Sequence, residues 1–141
     1  MRRWDEVREV LGDEFAVEEA GDGRLVLSLG DQPVVVELAT AFGEPWLTAV
    51  APILPEGELV RPRSALESSS SLASGVLCVR DGALGLRWTG ALRPLTRAAL
   101  DRAVRTIARE ATRLREIEEQ LSHRRRSTFS WIKLERRLVP A

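Results

Sequence analysis

The apolar positions near the N-terminus repeat with a helical spacing. Four of them lie three or four residues apart and form one stripe: Trp4, Val7, Val10 and Leu11. This spacing indicates a short helix over residues 3–11, with its apolar side turned toward a core. Gly12 follows the stripe, and glycine commonly ends a helix. We therefore predict that the first helix ends at Gly12.

The chain then changes to the alternating pattern of β-strands. Strand-like segments cover residues 15–20, 24–29, 34–41 and 46–51. The clearest alternation places Leu25, Leu27 and Leu29 on one face of a strand. Turns are predicted at residues 21–23, 31–33 and 43–45, where glycine and proline suit the backbone of a turn. Successive strands joined by short turns predict an antiparallel meander.

A loop and a short helix are predicted after the meander. Residues 52–63 contain three prolines and one glycine, which favours a loop. Ser64 and Glu67 then have the spacing of a capping box, in which each side chain bonds a free backbone N–H group at the start of a helix. A short middle helix over residues 65–73 is the expected result, with Gly75 at its end.

The strand register of a second hairpin can be predicted from the sequence alone. Asp81-Gly82 is a preferred pair for a two-residue type I′ turn, and it would place Arg80 opposite Ala83. The predicted core face then carries Leu77, Val79, Leu84, Leu86 and Trp88. The second face carries Val76, Cys78, Arg80, Ala83, Gly85 and Arg87. Because its side chains are small and only partly apolar, the second face could be hydrated or could contact a partner.

The longest amphipathic segment lies near the C-terminus. Thr96 is a good N-cap. A stripe at spacings of three and four follows it: Leu100, Val104, Ile107, Ala111, Leu114, Ile117 and Leu121. We expect this long helix to cover the sheet. The predicted class is α+β, with an antiparallel sheet built from the meander and the later hairpin, and with the N-terminal, middle and C-terminal helices packed on it.

Composition and charge limit the functional classes. The 141 residues suffice for one domain with a core, and the 44% apolar content excludes a disordered chain. Basic and acidic residues balance at 21 each, so overall charge does not favour nucleic acid. The charge is uneven, however: residues 1–23 form an acidic head, and residues 123–137 are basic. A single cysteine and the lack of a leader or membrane-length apolar run predict a soluble, cytoplasmic protein.

The sequence offers little catalytic chemistry. His123 is the only histidine and Cys78 the only cysteine, too few for a zinc site, which needs about four ligands. Cys78 is expected to be an inert thiol in a strand. Phosphate-binding, dinucleotide-binding and nucleophile-elbow motifs are absent from the sequence. We therefore predict no enzyme activity, no catalytic residues, no metal and no cofactor.

The order of elements resembles that of type III secretion chaperones and of the YbjN-like proteins. The strongest local match is a short helix ending on residues 71–75, the hairpin from Val76 to Trp88, and Leu92-Arg93-Pro94-Leu95 leading into the long helix. The similarity covers about residues 1–121. Those chaperones are usually acidic and end near the long helix, whereas this chain is balanced and continues into a basic tail.

The resemblance implies a bacterial, non-catalytic chaperone or adaptor module that binds a segment of a partner protein. It also implies a homodimer, whose face we assign to Val76, Cys78, Arg80, Gly85 and Arg87. One alternative is a regulatory or structural subunit of a larger assembly that docks through its basic tail. A nucleic-acid binder that uses the tail is a weaker alternative, because the acidic head opposes it.

The tail is expected to be separate from the folded domain. We place the domain at residues 1–121 and the tail at 122–141, with the arginines after His123 interrupting the apolar stripe and a short amphipathic helix starting near Ser127. The tail could fold back on its own domain or dock on an acidic protein partner; an anionic membrane surface is a weaker alternative, because one short helix offers few large apolar residues. Its expected contact residues are Arg124, Arg125, Arg126, Phe129, Trp131, Leu134, Arg136, Arg137 and Leu138.

Overall fold

The computed structural model describes residues 1–54, 75–80 and 83–138, with the backbone alone for Leu54, Glu118 and residues 120–138. Its elements are α1 (Trp4–Glu14), β1 (Ala16–Glu19), β2 (Arg24–Leu29), β3 (Gln32–Ala41), β4 (Glu44–Leu54), β5 (Val76–Arg80), β6 (Ala83–Ala91) and α2 (Arg97–Leu138). The strands form one open antiparallel sheet in the order β1-β2-β3-β4-β6-β5. The predicted α+β class and the meander with a later hairpin are therefore confirmed. The short helix predicted over residues 65–73 lies outside the described residues.

Alternation along the strands builds one buried face. Leu25 and Leu27 of β2 are buried, as are Val34 and Val36 of β3. Four residues of β4 continue this face: Leu47, Ala49, Ala51 and Ile53. Because strand side chains point alternately to opposite sides, this single period-2 pattern orients all three strands toward one core.

Two predicted turns lie slightly off their observed positions. The β2–β3 turn is Gly30-Asp31 rather than residues 31–33, and the β3–β4 turn is Phe42-Gly43 rather than residues 43–45. The prolines that suggested the later positions are the second residues of β3 and β4, where Pro33 pairs with Ser28 and Pro45 pairs with Thr40. Proline is tolerated there because the ends of strands need fewer ladder hydrogen bonds than their middles.

The first helix continues past its predicted end. Its buried residues are Val7 and Leu11, as the stripe indicated, but Gly12 lies inside the helix, which extends to Glu14. Long-range ion pairs stabilise this last turn: Arg97 lies 3.2 Å from Asp13 and 3.5 Å from Glu14. A contact across more than 80 positions of the chain is invisible to a local helix-stop rule.

The later hairpin has the predicted register but not all of the predicted burial. Arg80 faces Ala83, Val79 faces Leu84 and Leu77 faces Leu86. Leu84 and Leu86 are buried, and Leu77 and Trp88 are partly buried. Val79, predicted to be core, is 67% exposed. The reason is strand order: α2 packs across β3, β4 and β6, while β5 lies beyond them at the edge of the sheet.

The long helix begins where the sequence predicted and runs further. The Ala99 N–H donates to the Thr96 hydroxyl oxygen over 3.1 Å, which confirms Thr96 as the N-cap. The stripe is buried from Leu100 to Leu114, and Ile117 is already 36% exposed. The helical backbone then continues unbroken to Leu138. The short helix expected near Ser127 is thus the end of α2, because consecutive arginines are good helix formers and do not interrupt the backbone.

A buried amide links α2 to the sheet. The Gln32 side-chain nitrogen donates to the carbonyl oxygens of Pro33 (2.9 Å) and Pro52 (3.0 Å). Its side-chain oxygen accepts from the Thr112 hydroxyl and from the Arg115 guanidinium. Pro52 lies beside a register irregularity in the β4–β6 pairing, where ladder bonding is locally disrupted. Gln32 and Arg115 together satisfy its carbonyl group.

Candidate binding face

The two faces of the sheet differ in what covers them. Both described helices pack on the side that carries the buried strand residues, since Val7, Leu11 and the α2 stripe belong to the same core cluster. The opposite side, which we call the open face, has no covering element within residues 1–54, 75–80 and 83–138. An antiparallel sheet of this kind is expected to be polar on its uncovered side. The open face instead carries apolar residues, among them Val26, Val35, Val50 and Pro52, with Val76 on the edge strand β5.

A groove of about 210 Å³ lies on the open face. It is lined by Val35, Val50, Pro52, Cys78, Ala83, Leu84 and Gly85, with Arg24 and Arg80 at its sides. Gly85 lies at the floor of the groove and leaves space there because it has no side chain. A Cβ atom at this position would lie 3.1 Å from a methyl group of Val50 and 3.3 Å from the Ala51 carbonyl oxygen. Any larger residue at position 85 would therefore fill part of the groove.

Charged residues form one rim of the groove. A single carboxylate oxygen of Glu37 lies 2.9 Å from the Arg80 guanidinium and 3.4 Å from that of Arg24. Arg24 faces Glu37 directly on the neighbouring strand, but Arg80 is on β5, with β4 and β6 between it and β3. Side chains can meet across two intervening strands only if the sheet curves toward them. The open face is therefore concave along this direction.

Cys78 lies in the groove next to Gly85, its partner in the hairpin register. The thiol is partly buried, and this burial raises its pKa above the ordinary value for cysteine. The charges of Arg87 and Arg80, and a hydrogen bond from the Gly85 backbone, act in the opposite direction but are smaller effects. A thiol with a raised pKa is less reactive than a free cysteine, so its surroundings favour packing over nucleophilic chemistry.

The structure brings the five predicted dimer-face residues together on the open face. Val76 is 61% exposed, and Arg80 and Arg87 are also exposed. Cys78 is partly buried, and Gly85 is buried in the floor of the groove. These five residues therefore form a continuous surface at the β5–β6 end of the sheet.

The predicted contact residues of the tail lie on the C-terminal part of α2. The backbone there is helical through Leu138. Parts of the acidic head are already used within the fold, because Asp13 and Glu14 pair with Arg97, and Glu19 pairs with Arg8. These acidic groups are consequently less available to a basic tail than the sequence suggested.

The described residues also bear on metal binding and on membrane insertion. No group of three or more His, Cys, Asp or Glu residues there has the arrangement of a metal site. No helix in this part of the chain is both long and apolar enough to cross a membrane.

Comparison with known proteins finds similarity among solved structures only. No family model matches the chain, and no curated protein matches it. Among solved structures, the chain is similar to the crystal structure of YbjN from E. coli, a proposed transcription regulator, with 17% identity and a TM-score of 0.47. The similarity covers 84% of this chain and 93% of that one.

Several important residues were not singled out from the sequence. The Arg24–Glu37 pair follows directly if Gly30-Asp31 is taken as a two-residue turn, so a signal for it was present. The contact of Arg80 with Glu37 depends on the curvature of the sheet, which no local pattern encodes. Likewise, no local sequence pattern predicts the contact of Gln32 with Arg115, because the two residues meet only when α2 packs on the sheet.

Proposed function

We propose that the protein is a non-catalytic adaptor or chaperone module that binds an extended segment of a partner protein on its open face. The observation that carries this proposal is the apolar, concave centre of that face. Clustered apolar residues on an uncovered surface are typical of interaction sites. The charged rim of Arg24, Glu37 and Arg80 is suited to orienting a bound chain.

A site-specific photo-crosslinking experiment tests this assignment. A photoreactive amino acid at Thr48, on the open face, should form crosslinks to another protein in the native host. The matched control is the same substitution at Arg109, an exposed residue of α2 on the other side of the sheet. Equal crosslinking at both positions, or none at Thr48, would contradict the proposal.

We also propose that the protein is a homodimer joined through β5. No described strand pairs with the outer edge of β5, and its side chains Val76 and Val79 are 61% and 67% exposed. In the hairpin register, the backbone groups of Leu77 and Val79 are expected to point away from β6. An antiparallel second copy in full overlap would pair Leu77 with Val79 and would bring the two Cys78 residues face to face.

Disulfide formation between two copies of the chain tests this dimer. Opposed residues at such a position have Cα atoms about 4.5 Å apart, a distance that a disulfide accepts. Mild oxidation should therefore link two chains through Cys78, and light scattering should give twice the 15.7 kDa of one chain. Val79→Pro should give a monomer that still folds, because it removes only the outward N–H group. A monomeric wild-type protein would exclude this dimer.

A second candidate function is that of a subunit that docks on a larger assembly through its tail. The continuous α2 backbone to Leu138 favours it, because a helix is a common docking element. A chain shortened after Leu121 should then remain folded and keep its oligomeric state but lose its assembly partner. If this shortened chain melts far below the full chain, the tail belongs to the fold and this candidate fails.

A further inference from the structure

The open face has an uneven distribution of charge. Arg24 and Arg80 both contact Glu37, so the rim of the groove already contains a carboxylate. Arg87 differs from them. It is exposed, it lies between Val50 and Val76 in the register, and it forms no ion pair within the described part of the chain. Its guanidinium is therefore a positive charge placed beside apolar side chains.

The spacing of these groups fits an extended peptide. In a strand, residues two positions apart point to the same side and are separated by about 7 Å. One side of such a peptide could place an apolar side chain in the groove above Gly85 and an acidic side chain on Arg87, its neighbour two residues along β6. A planar guanidinium is well suited to a carboxylate because it can donate two parallel hydrogen bonds.

We propose that the segment bound on the open face is an extended peptide in which acidic and apolar residues alternate, with a carboxylate on Arg87 and an apolar side chain over Gly85. This inference rests on the proposed function and specifies the chemistry of the partner. The charge of Arg87 selects the acidic residue, and the low floor at Gly85 sets the size of the apolar one. The shared carboxylate of Glu37 disfavours a second acidic group at the opposite rim.

The alkylation rate of Cys78 reports whether a peptide occupies the groove. This residue is the only cysteine of the chain, and it lines the groove. Its alkylation by a neutral reagent, N-ethylmaleimide, can be followed by mass spectrometry under mildly alkaline conditions, which favour the reactive thiolate. The probes are three capped peptides of about nine residues, roughly 30 Å when extended, in which valine alternates with glutamate, lysine or serine.

The valine–glutamate peptide should slow alkylation of Cys78 at concentrations where the valine–lysine peptide has no effect. Arg87→Gln should weaken this protection about tenfold or more, the effect of losing a charge-assisted hydrogen bond. Arg87→Lys should restore part of it, and Arg109→Gln on α2 should change nothing. Because Arg87 also affects the pKa of Cys78, rates with and without peptide are compared within each variant.

Three outcomes would overturn the proposal. Equal protection by all three peptides would leave a peptide-binding face but remove the charge selection. Failure of every peptide, together with open-face crosslinks at Thr48, would keep the proposed function and reject this partner chemistry. If protection of Cys78 from alkylation increased with protein concentration and did not depend on the peptides, a second copy of the chain would be covering the groove. A melting curve of Arg87→Gln that matches the wild type would exclude misfolding as the cause of lost protection.

Discussion

The covered face and the open face use the same strands in different ways. On the covered face, side chains such as Val36, Leu47 and Leu86 have no exposed surface, and α2 packs over their strands. On the open face, the neighbouring positions of these strands carry partly exposed apolar groups such as Val35 and Val50, and three charged side chains form an Arg–Glu–Arg contact beside them. The first arrangement stabilises the fold. The second leaves apolar surface uncovered by any described element, at a free-energy cost that binding could offset.

The difference teaches that hydrophobic content alone does not identify the core of this sheet. Val50 and Ala49 are adjacent in β4, yet only Ala49 is fully buried. What separates them is the helix, which can cover one side of the sheet and not the other. Substitutions on the two faces should therefore differ strongly in their effect on stability and on binding.

The largest expected effect is on the covered face. Leu86→Ala should lower the free energy of unfolding by about 2–5 kcal/mol, because a fully buried leucine leaves a cavity when it is truncated. Val76→Ala, on the open face, is the matched control and should change stability by less than about 0.5 kcal/mol. Chemical denaturation measures both values. Similar losses for the two variants would mean that the open face is also packed.

A smaller loss is expected where α2 attaches to the sheet. Gln32→Ala should cost about 1–3 kcal/mol, because it leaves the Pro52 carbonyl group with one donor fewer and removes the acceptor of Thr112 and Arg115. Thr112→Val removes the longest contact of this set, 3.4 Å, together with a hydrogen bond from the same hydroxyl to the Ala108 carbonyl oxygen of its own helix, and it should cost less. If urea denaturation ranked Thr112→Val above Gln32→Ala, the amide would not be the group that links the two layers.

A stabilising change is expected at the β3–β4 turn. Phe42 is 99% exposed and has a φ of 53°, a left-handed conformation that bulky residues rarely adopt. Phe42→Asn should raise stability by about 0.5–1 kcal/mol, since asparagine suits this position of a two-residue hairpin. A rise in the melting temperature would confirm that relief of the left-handed strain outweighs any packing of the Phe42 ring. A clear fall would show that its ring packs on a surface of the protein.

The smallest effect on stability is expected at the charged rim. Glu37→Gln removes a partner shared by two half-exposed arginines, and it should lower stability by less than about 1 kcal/mol. It should nevertheless strengthen binding of the valine–glutamate peptide, because the groove loses its own carboxylate. Denaturation and Cys78 protection measure the two effects separately. Weaker binding by this variant would show that Glu37 positions the arginines for the ligand.

Most elements of the fold could be predicted from local patterns. The register of the β5–β6 hairpin followed from Asp81-Gly82, and the start of α2 followed from Thr96. Two of the errors occurred where distant residues decide the result. Arg97 supports α1 beyond Gly12, and the edge position of β5 leaves Val79 exposed. The candidate binding face was predicted only in its β5–β6 part, because Arg24, Val35 and Val50 join it through strand pairing.

The sequence by itself determined the strands, the stripes of the two described helices and the alternation of side chains between the two sides of each strand. These properties follow from short-range sterics and from the periods of 3.6 and 2, which act within a few residues. The tertiary structure alone decided that β6 inserts beside β4 and that α2 covers three strands but not β5. It also decided that the sheet curves far enough for Arg80 to meet Glu37. Those features depend on contacts between residues far apart in the chain, which form only when all the layers pack together.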